Sequence, residues 1–134
     1  MFGGGMKSAP PTTVEELLAR YAAGERYFVG AELDEPRVDM SGVVLDGADL
    51  SACWFMTSFR NASLKDTKFC RANVKCCDFS GADLSNADFS EAALEATVWD
   101  GAVLAGARFG DVSLYGAHLT EAQFLAAIAE DWSL

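Results

Sequence analysis

Residues 57–119 read TSFRN ASLKD TKFCR ANVKC CDFSG ADLSN ADFSE AALEA TVWDG AVLAG ARFGD VSLYG AHL when they are written in groups of five. The third residue of every group is large and apolar, from Phe59 to Leu119, and the first residue is small. An α-helix would repeat its apolar residues every three or four positions, and a half-buried strand would repeat them every two. Because a fixed internal period indicates a stacked architecture, the sequence predicts a chain that turns a corner every five residues.

The large residues are also sorted at a period of twenty, which a simple five-residue repeat does not require. Two of the four resulting sets are aromatic, namely Phe59, Phe79, Trp99 and Phe69, Phe89, Phe109. The other two sets are aliphatic, namely Leu64, Leu84, Leu104 and Val74, Leu94, Leu114. This sorting is expected if four five-residue sides close one coil, so that residues twenty apart stack inside it, where aromatic rings favour offset stacking. The sequence therefore predicts a four-sided coil with these residues as its core ladders.

Two neighbouring units have the pattern Ala, Asp or Asn, Leu or Phe, and then two polar residues: Ala82-Asp83-Leu84-Ser85-Asn86 and Ala87-Asp88-Phe89-Ser90-Glu91. In this pattern the chain resembles the pentapeptide-repeat family over residues 26–124. The resemblance implies an all-β solenoid, a right-handed quadrilateral parallel β-helix whose coils lie about 4.8 Å apart. Counting the apolar centres gives between four and five coils.

Signals on both sides of the repeat predict a short helix at each end. Thr13 and Glu16 form a candidate capping box ahead of an apolar stripe, and Thr120 and Gln123 form a second one. We therefore predict a disordered segment over 1–12, an N-terminal capping helix over 13–24, the β-helix over 25–119, and a C-terminal capping helix with a tail over 120–134. Residues 120–124 also fit a last repeat with Phe124 as its centre, so the start of the second helix stays open.

The repeat is irregular before Phe59. A two-residue insertion is predicted within residues 34–37, after which the five-residue step resumes as far as Leu50. We place the next core centre at Trp54, which requires the loss of one residue between these two positions. On this register Cys53 and Phe55 face outwards.

Apolar side chains at outward positions are candidates for an interaction surface. Phe55 and Tyr115 are assigned to one outward column, with Met56 next to it. We predict that these three residues bind a protein partner, whose identity the sequence does not give.

The composition argues against several classes of function. Twenty acidic and ten basic residues give a net charge of −10, which disfavours nucleic acid and anionic membranes as partners. No apolar run is long enough to span a membrane, and the N-terminal apolar residues are interrupted by glycine, lysine and proline. We therefore expect a cytoplasmic protein, in which the four cysteines are free thiols.

Motifs for catalysis or cofactor binding are absent from the sequence. It contains no Cys-x-x-Cys, no Gly-rich phosphate loop and no nucleophile elbow, and His118 is its only histidine. Cys70, Cys76 and Cys77 are close in sequence but have no histidine nearby, so incidental small residues are favoured over a zinc site. We expect no enzymatic activity, no metal and no cofactor.

The resemblance implies one alternative function and one alternative assembly. Quinolone-resistance members of the family are thought to mimic duplex DNA and to bind DNA gyrase, so an acidic DNA mimic is the alternative to a protein-binding rod. Against it, one outward column alternates in sign: Asp49, Lys68, Asp88, Arg108. Five of the ten basic residues also fall within one coil: Arg60, Lys65, Lys68, Arg71, Lys75. Relatives of this kind are also implied to pair end to end, so both a monomer and a homodimer through the C-terminal helix stay open.

Overall fold

A computed structural model describes residues 9–33 and 38–130. Its helices are α1 (Val14–Ala22) and α2 (Glu121–Ala129), and its strands are β1 (Val38–Asp39), β2 (Thr57–Ser58), β3 (Val112–Leu114) and β4 (Ala117–Leu119). Strands β1 and β2 are parallel, and most of the repeat forms five-residue sides joined by isolated parallel bridges. The predicted insertion at 34–37, and most of the segment predicted as disordered, lie outside the described residues.

Parallel bridges join residues that are one coil apart. From Ser58 onwards the bridged residues are twenty apart, as in the pairs Ser58 with Asp78 and Asp78 with Val98. Hydrogen bonds connect the same two coils, since the N–H of Phe59 donates to the carbonyl of Asp78, the bridge partner of Ser58, at 2.8 Å. One coil therefore consists of four five-residue sides, as the twenty-residue sorting predicts.

The corners of the coil are turns that contain one residue in the left-handed region. The N–H of Ala62 donates to the carbonyl of Phe59 at 3.0 Å, and this bond closes a turn in which Asn61 has a φ of 58°. The same conformation recurs two positions after most centres, even on alanine, as at Ala96 with a φ of 59°. This region costs a residue other than glycine roughly 1–2 kcal/mol. The ladder of inter-coil hydrogen bonds and the core must therefore offset this strain.

Two stacks of aromatic rings fill the interior of the coil: Phe59, Phe79, Trp99 and Phe69, Phe89, Phe109. Neighbouring ring centroids are 5.4 and 4.7 Å apart in the first stack and 4.8 and 5.3 Å apart in the second. Rings of opposite stacks meet edge to face, as Phe79 and Phe89 do at 5.5 Å. Aromatic pairs favour both geometries because of the quadrupole of the ring. Placing aromatic residues twenty positions apart therefore fills the core with favourable ring contacts.

Helix α1 contributes to the N-terminal end of the core. Its N-cap is Thr13, whose side-chain oxygen accepts a hydrogen bond from the N–H of Glu16 at 3.0 Å. Leu17 is fully buried, and the hydroxyl of Tyr21 donates to the carbonyl of Asp46 at 2.7 Å. The amphipathic stripe of the sequence thus faces the first coils.

Helix α2 begins with a capping box and packs on the last rings of both stacks. The Thr120 side chain accepts from the N–H of Gln123, and the Gln123 side chain accepts from the N–H of Thr120. Phe124 is buried with its ring 4.7 Å from that of Phe109, whose N–H donates to a carboxylate oxygen of Glu121 at 2.8 Å. Residues 121–124 are therefore helical, and the helix supplies both an apolar and a polar partner to the coil.

The chain leaves the coil in a hairpin just before α2. Strands β3 and β4 pair antiparallel, with Val112 opposite Leu119. The repeat predicts Leu119 as a further core centre, but the chain reverses at Tyr115 and Gly116, whose φ values are 50° and 82°. Two consecutive left-handed residues match the twist of a two-residue hairpin. The sequence therefore keeps its five-residue spacing here, but the chain forms an antiparallel hairpin instead of a further parallel side.

Candidate interaction surface

The structure corrects the register around Trp54. Phe55 is 2% exposed, whereas Trp54 is 57% exposed and Met56 is 66% exposed. Phe55 is thus the core centre of this side, five residues after Leu50, and its N–H donates to the carbonyl of Asn73 at 3.0 Å. The placement of Phe55 on the interaction surface is wrong, as is the placement of Trp54 in the core.

The shortened side of the coil lies after Phe55. Phe55 and Phe59 are only four residues apart, and Thr57 between them belongs to β2 instead of forming a left-handed corner. Cys53, which was expected to face outwards, is 1% exposed and lies two positions before Phe55. The other core centres also have a small residue two positions before them. The small residue Cys53 is therefore the sequence signal that identifies Phe55 as a core centre. The adjacent rings of Trp54 and Phe55 obscured this signal, because either one satisfies the requirement for a large apolar residue.

Two exposed apolar side chains flank the buried Phe55, and a third lies further along the same side of the coil. Trp54 and Met56 are on the outside of this side, and its parallel bridges continue as far as Ser113. Two residues later Tyr115, which is 75% exposed, forms the tip of the hairpin. We call Trp54, Met56 and Tyr115 the apolar side.

An ion pair lies between the apolar residues of this side. In the register of the parallel bridges, Lys75 follows Met56 and Glu95 follows Lys75. The Lys75 ammonium nitrogen is 3.4 Å from a Glu95 carboxylate oxygen. Surface pairs of this kind contribute only about 0–1 kcal/mol to stability, but this one leaves no net charge between Met56 and Tyr115.

The basic belt predicted within one coil is partly neutralised by the following coil. The Arg60 guanidinium is 3.0 Å from a carboxylate oxygen of Asp78, and Lys75 is paired with Glu95 in the same way. In both pairs, a cation of one coil is therefore neutralised by a carboxylate of the next coil. Such an arrangement does not present a field of one sign along the rod.

Carboxylates that precede core centres bind the backbone of the following corner. An Asp83 carboxylate oxygen accepts from the N–H and the hydroxyl of Ser85, and Asp88 and Ser90 repeat this arrangement. The hydrogen bonds from Ser85 lower the pKa of Asp83. Burial opposes ionisation of Asp88, but the hydrogen bonds from Ser90 and other groups outweigh it, so the pKa of Asp88 is lowered as well.

We expect the coil to be less stable in acid, because protonation of Asp83 and Asp88 weakens these hydrogen bonds. A carboxyl group whose folded-state pKa lies below the unfolded value of about 3.9 contributes stability above that pH. This contribution is lost as the pH falls through the folded-state pKa. The double variant Ser85→Ala, Ser90→Ala should therefore unfold at a lower temperature than the wild type at pH 7, and the difference should narrow below about pH 4. Thermal unfolding followed by circular dichroism measures this, and a difference that does not change with pH would contradict the role of the two carboxylates.

The cysteines do not form a reactive or metal-binding cluster. Burial raises the pKa of Cys53 and of Cys77 to about 12, so both are neutral thiols. Burial also raises the pKa of the partly buried Cys70, while Cys76 is exposed and all four are free. Within residues 9–33 and 38–130, no three His, Cys, Asp or Glu side chains are grouped so that they can hold a metal ion. Of the described helices, neither has the length and apolar character needed to span a bilayer.

Comparisons with known proteins agree on one repeat type. The family model for pentapeptide repeats matches residues 62–98 with eight copies. The crystal structure of alr5209, a pentapeptide repeat protein from Nostoc PCC 7120, is 30% identical over 80% of this chain and 84% of that one, with a TM-score of 0.47. No curated protein matches the sequence.

Two longer proteins of known structure match part of their own length. HetL, a pentapeptide repeat protein involved in heterocyst differentiation regulation in Nostoc sp. strain PCC 7120, is 28% identical over 69% of this chain and 49% of its own, with a TM-score of 0.47. QnrB1, a plasmid-mediated fluoroquinolone resistance protein, is 24% identical over 67% of this chain and 53% of its own, with a TM-score of 0.40. The present chain thus spans about half of the length of each.

Proposed function

We propose a protein-binding or scaffold function without enzymatic activity for this chain, which belongs to the pentapeptide-repeat family. We take the described coil to be a right-handed quadrilateral β-helix of between four and five coils, with α1 and α2 as its caps. In such a coil the backbone is fixed by hydrogen bonds to both neighbouring coils, and outward side chains are held in columns. The rod is therefore a scaffold on which a binding surface can be displayed.

The observation that carries the proposal is the exposure of Trp54 and Met56. The aromatic residues of the two ring stacks are nearly fully buried, whereas more than half of the Trp54 surface is accessible to water. Tryptophan and methionine are enriched in the cores of protein interfaces, where their apolar area is removed from water on binding. An exposed pair on one side of a rod is therefore best explained as part of a contact with another protein.

The rigid backbone beneath Trp54 supports the same proposal. The N–H of Trp54 donates to the carbonyl of Ala31 at 2.9 Å, and the N–H of Asn73 donates to the carbonyl of Cys53 at 2.8 Å. Trp54 is thus attached to a segment that is bonded on both sides. A surface that does not need to be ordered during binding loses less conformational entropy, which favours affinity.

A capture experiment with a matched control tests the function. Tagged wild-type protein should retain a specific protein from a lysate of its source organism, and the double variant Trp54→Ser, Met56→Ser should lose it. Val103→Ser is the control, because Val103 is 46% exposed on another side of the coil. Circular dichroism establishes that both variants are folded. Equal retention by the two variants would reject the apolar side as the binding surface.

A DNA mimic that binds DNA gyrase is the second candidate, and the net charge of −10 is the observation in its favour. Two ion pairs between successive coils argue against it, because each neutralises a carboxylate that an acidic, DNA-like surface would need. A gyrase supercoiling assay with and without a fluoroquinolone distinguishes the two functions. Neither inhibition nor protection of the enzyme at micromolar protein would reject the mimic.

The proposal includes the location and assembly of the protein. We propose that it works in the cytoplasm, which accords with four unpaired thiols. It acts either as a monomer or as an end-to-end homodimer through α2, where Leu125 is 37% exposed. Analytical ultracentrifugation of the wild type and of Leu125→Glu decides between them, since only a dimer would dissociate on this substitution.

A further inference from the structure

The last coil has an open edge on two of its four sides. One coil earlier, the N–H of Phe79 donates to Val98 and the N–H of Leu84 donates to Val103, both at 2.8 Å. Trp99 and Leu104 occupy the same positions in the last coil. Within the described parts of the chain, no acceptor receives a hydrogen bond from the N–H of either residue.

Carbonyl groups on this edge are open in the same way. In the preceding coil, the carbonyls of Cys77 and Ala82 accept hydrogen bonds from the N–H groups of Val98 and Val103. Thr97 and Ala102 are the corresponding residues of the last coil, and no N–H among residues 9–33 and 38–130 donates to their carbonyls. Each of the two sides therefore presents one acceptor and one donor, as the sides of the preceding coil do, and the two sides are separated by the corner at Gly101.

Apolar residues of the core are incompletely covered beneath this edge. Leu104 and Ala102 are only partly buried, whereas Leu84 and Ala82 one coil earlier are 0% exposed. Phe124 of helix α2 packs on Phe109 and meets the Trp99 ring edge to face at 5.8 Å, and a groove remains beside the helix. The groove has a volume of about 430 Å³ and lies between Trp99, Gly101 and Leu104 of the coil and Leu125 and Ile128 of α2.

The groove has one carboxylate in its lining and belongs to the acidic half of the sequence. Asp100 lines it directly. From Asp78 to Glu130 the sequence has nine acidic residues, and Arg108 is its only lysine or arginine. A field of this sign attracts basic partners and disfavours acidic ones.

We propose that this edge binds an extended basic segment of a partner protein by strand addition, a proposal that rests on the protein-binding function above. On the side that holds Ala102 and Leu104, a carbonyl of the segment accepts from the N–H of Leu104, and an N–H of the segment donates to the carbonyl of Ala102. An apolar side chain of the segment fills the groove against Leu104 and the α2 residues, while lysine or arginine residues face Asp100. Main-chain bonds supply the affinity in this mode of recognition, and the groove and the charge supply the specificity.

The test uses two labelled hexapeptides as probes, one of alternating lysine and valine and one of alternating glutamate and valine. Fluorescence anisotropy at low ionic strength should detect binding of the first peptide only. Methylating every backbone amide nitrogen of the lysine peptide should abolish binding if strand addition is correct, because it removes all main-chain donors without changing the charge. Equal binding of the methylated peptide would overturn the proposal in favour of non-specific charge attraction, and so would the absence of any binding.

Two charge reversals serve as a matched pair of variants. Asp100→Lys should weaken binding of the lysine peptide by about tenfold or more, while Asp111→Lys should change it by less than about threefold. Both residues are acidic and exposed, but only Asp100 lines the groove. Equal losses in the two variants would overturn the proposal.

The remaining outcomes identify other occupants of the edge. Binding that appears only after residues 131–134 are deleted would assign the groove to the chain's own C-terminus and overturn the proposal. Peptide binding that competes with dimerisation in the ultracentrifuge would assign the groove to a second copy of the chain and would also overturn the proposal. Failure of this proposal can be distinguished from failure of the proposed function, because the capture experiment depends on Trp54 and Met56 on another side of the coil.

Discussion

Replacing Phe79 with alanine should lower the free energy of unfolding by about 3–5 kcal/mol. The Phe79 ring is fully buried and stacks between Phe59 at 5.4 Å and Trp99 at 4.7 Å. It also meets Phe69 and Phe89 edge to face. Removing it would open a cavity with rings on several sides, and the repeated backbone bonds would oppose collapse of the coil around this cavity. Denaturant unfolding followed by circular dichroism measures the loss.

Val103→Ala is the matched control for this substitution. It removes apolar atoms from an outward position that is 46% exposed, so we expect a change within about 0.5 kcal/mol. If the two substitutions had equal costs, the inward and outward assignments of the coil would be contradicted.

The ring stacks could be predicted from the sequence because their geometry has a second period. A five-residue step alone allows any large apolar residue at each centre, but stacking requires similar shapes at residues twenty apart, such as Phe69 and Phe89. The two centroids are 4.8 Å apart with nearly parallel planes. The five-residue step predicts the sides of the coil, and the twenty-residue sorting predicts that four sides make one turn.

The hairpin at the end of the coil could not be predicted in this way. Leu114 and Leu119 keep the five-residue spacing, and Gly116 lies two positions after Leu114, where the ordinary corners also have a left-handed residue. The hairpin differs only in that Tyr115 is left-handed as well. Sequence spacing cannot distinguish a corner with one such residue from a reversal with two.

The candidate surfaces were harder to predict than the core. Met56 and Tyr115 are exposed, but the choice between Trp54 and Phe55 depended on one missing residue, whose position the aromatic pair conceals. The groove next to Leu104 depends on how α2 lies across the last coil. That placement follows from the contact between Phe124 and Phe109, which no local pattern specifies.

Phe55→Ala should lower the free energy of unfolding by about 3 kcal/mol or more, whereas Trp54→Ala should lower it by about 1 kcal/mol or less. Phe55 is buried and meets Phe59 edge to face at 6.2 Å, while Trp54 is mainly exposed. Side-chain volume predicts the opposite order, since tryptophan is the larger residue. Burial therefore decides the sign of the difference, which denaturant unfolding of both variants measures directly.

The reactivity of Cys53 provides an independent measurement of the same register. If Trp54 were the core centre, Cys53 would face water and react readily with a thiol reagent. In the structure Cys53 is 1% exposed, and burial raises its pKa to about 12, so the reactive thiolate is scarce. In the folded protein the exposed Cys76 should react first and Cys53 should stay protected. Phe55→Ala should remove this protection, because truncating the ring opens the core next to the thiol, whereas Trp54→Ala should leave it intact. Rapid labelling of Cys53 in the folded wild type would support the register with Trp54 in the core.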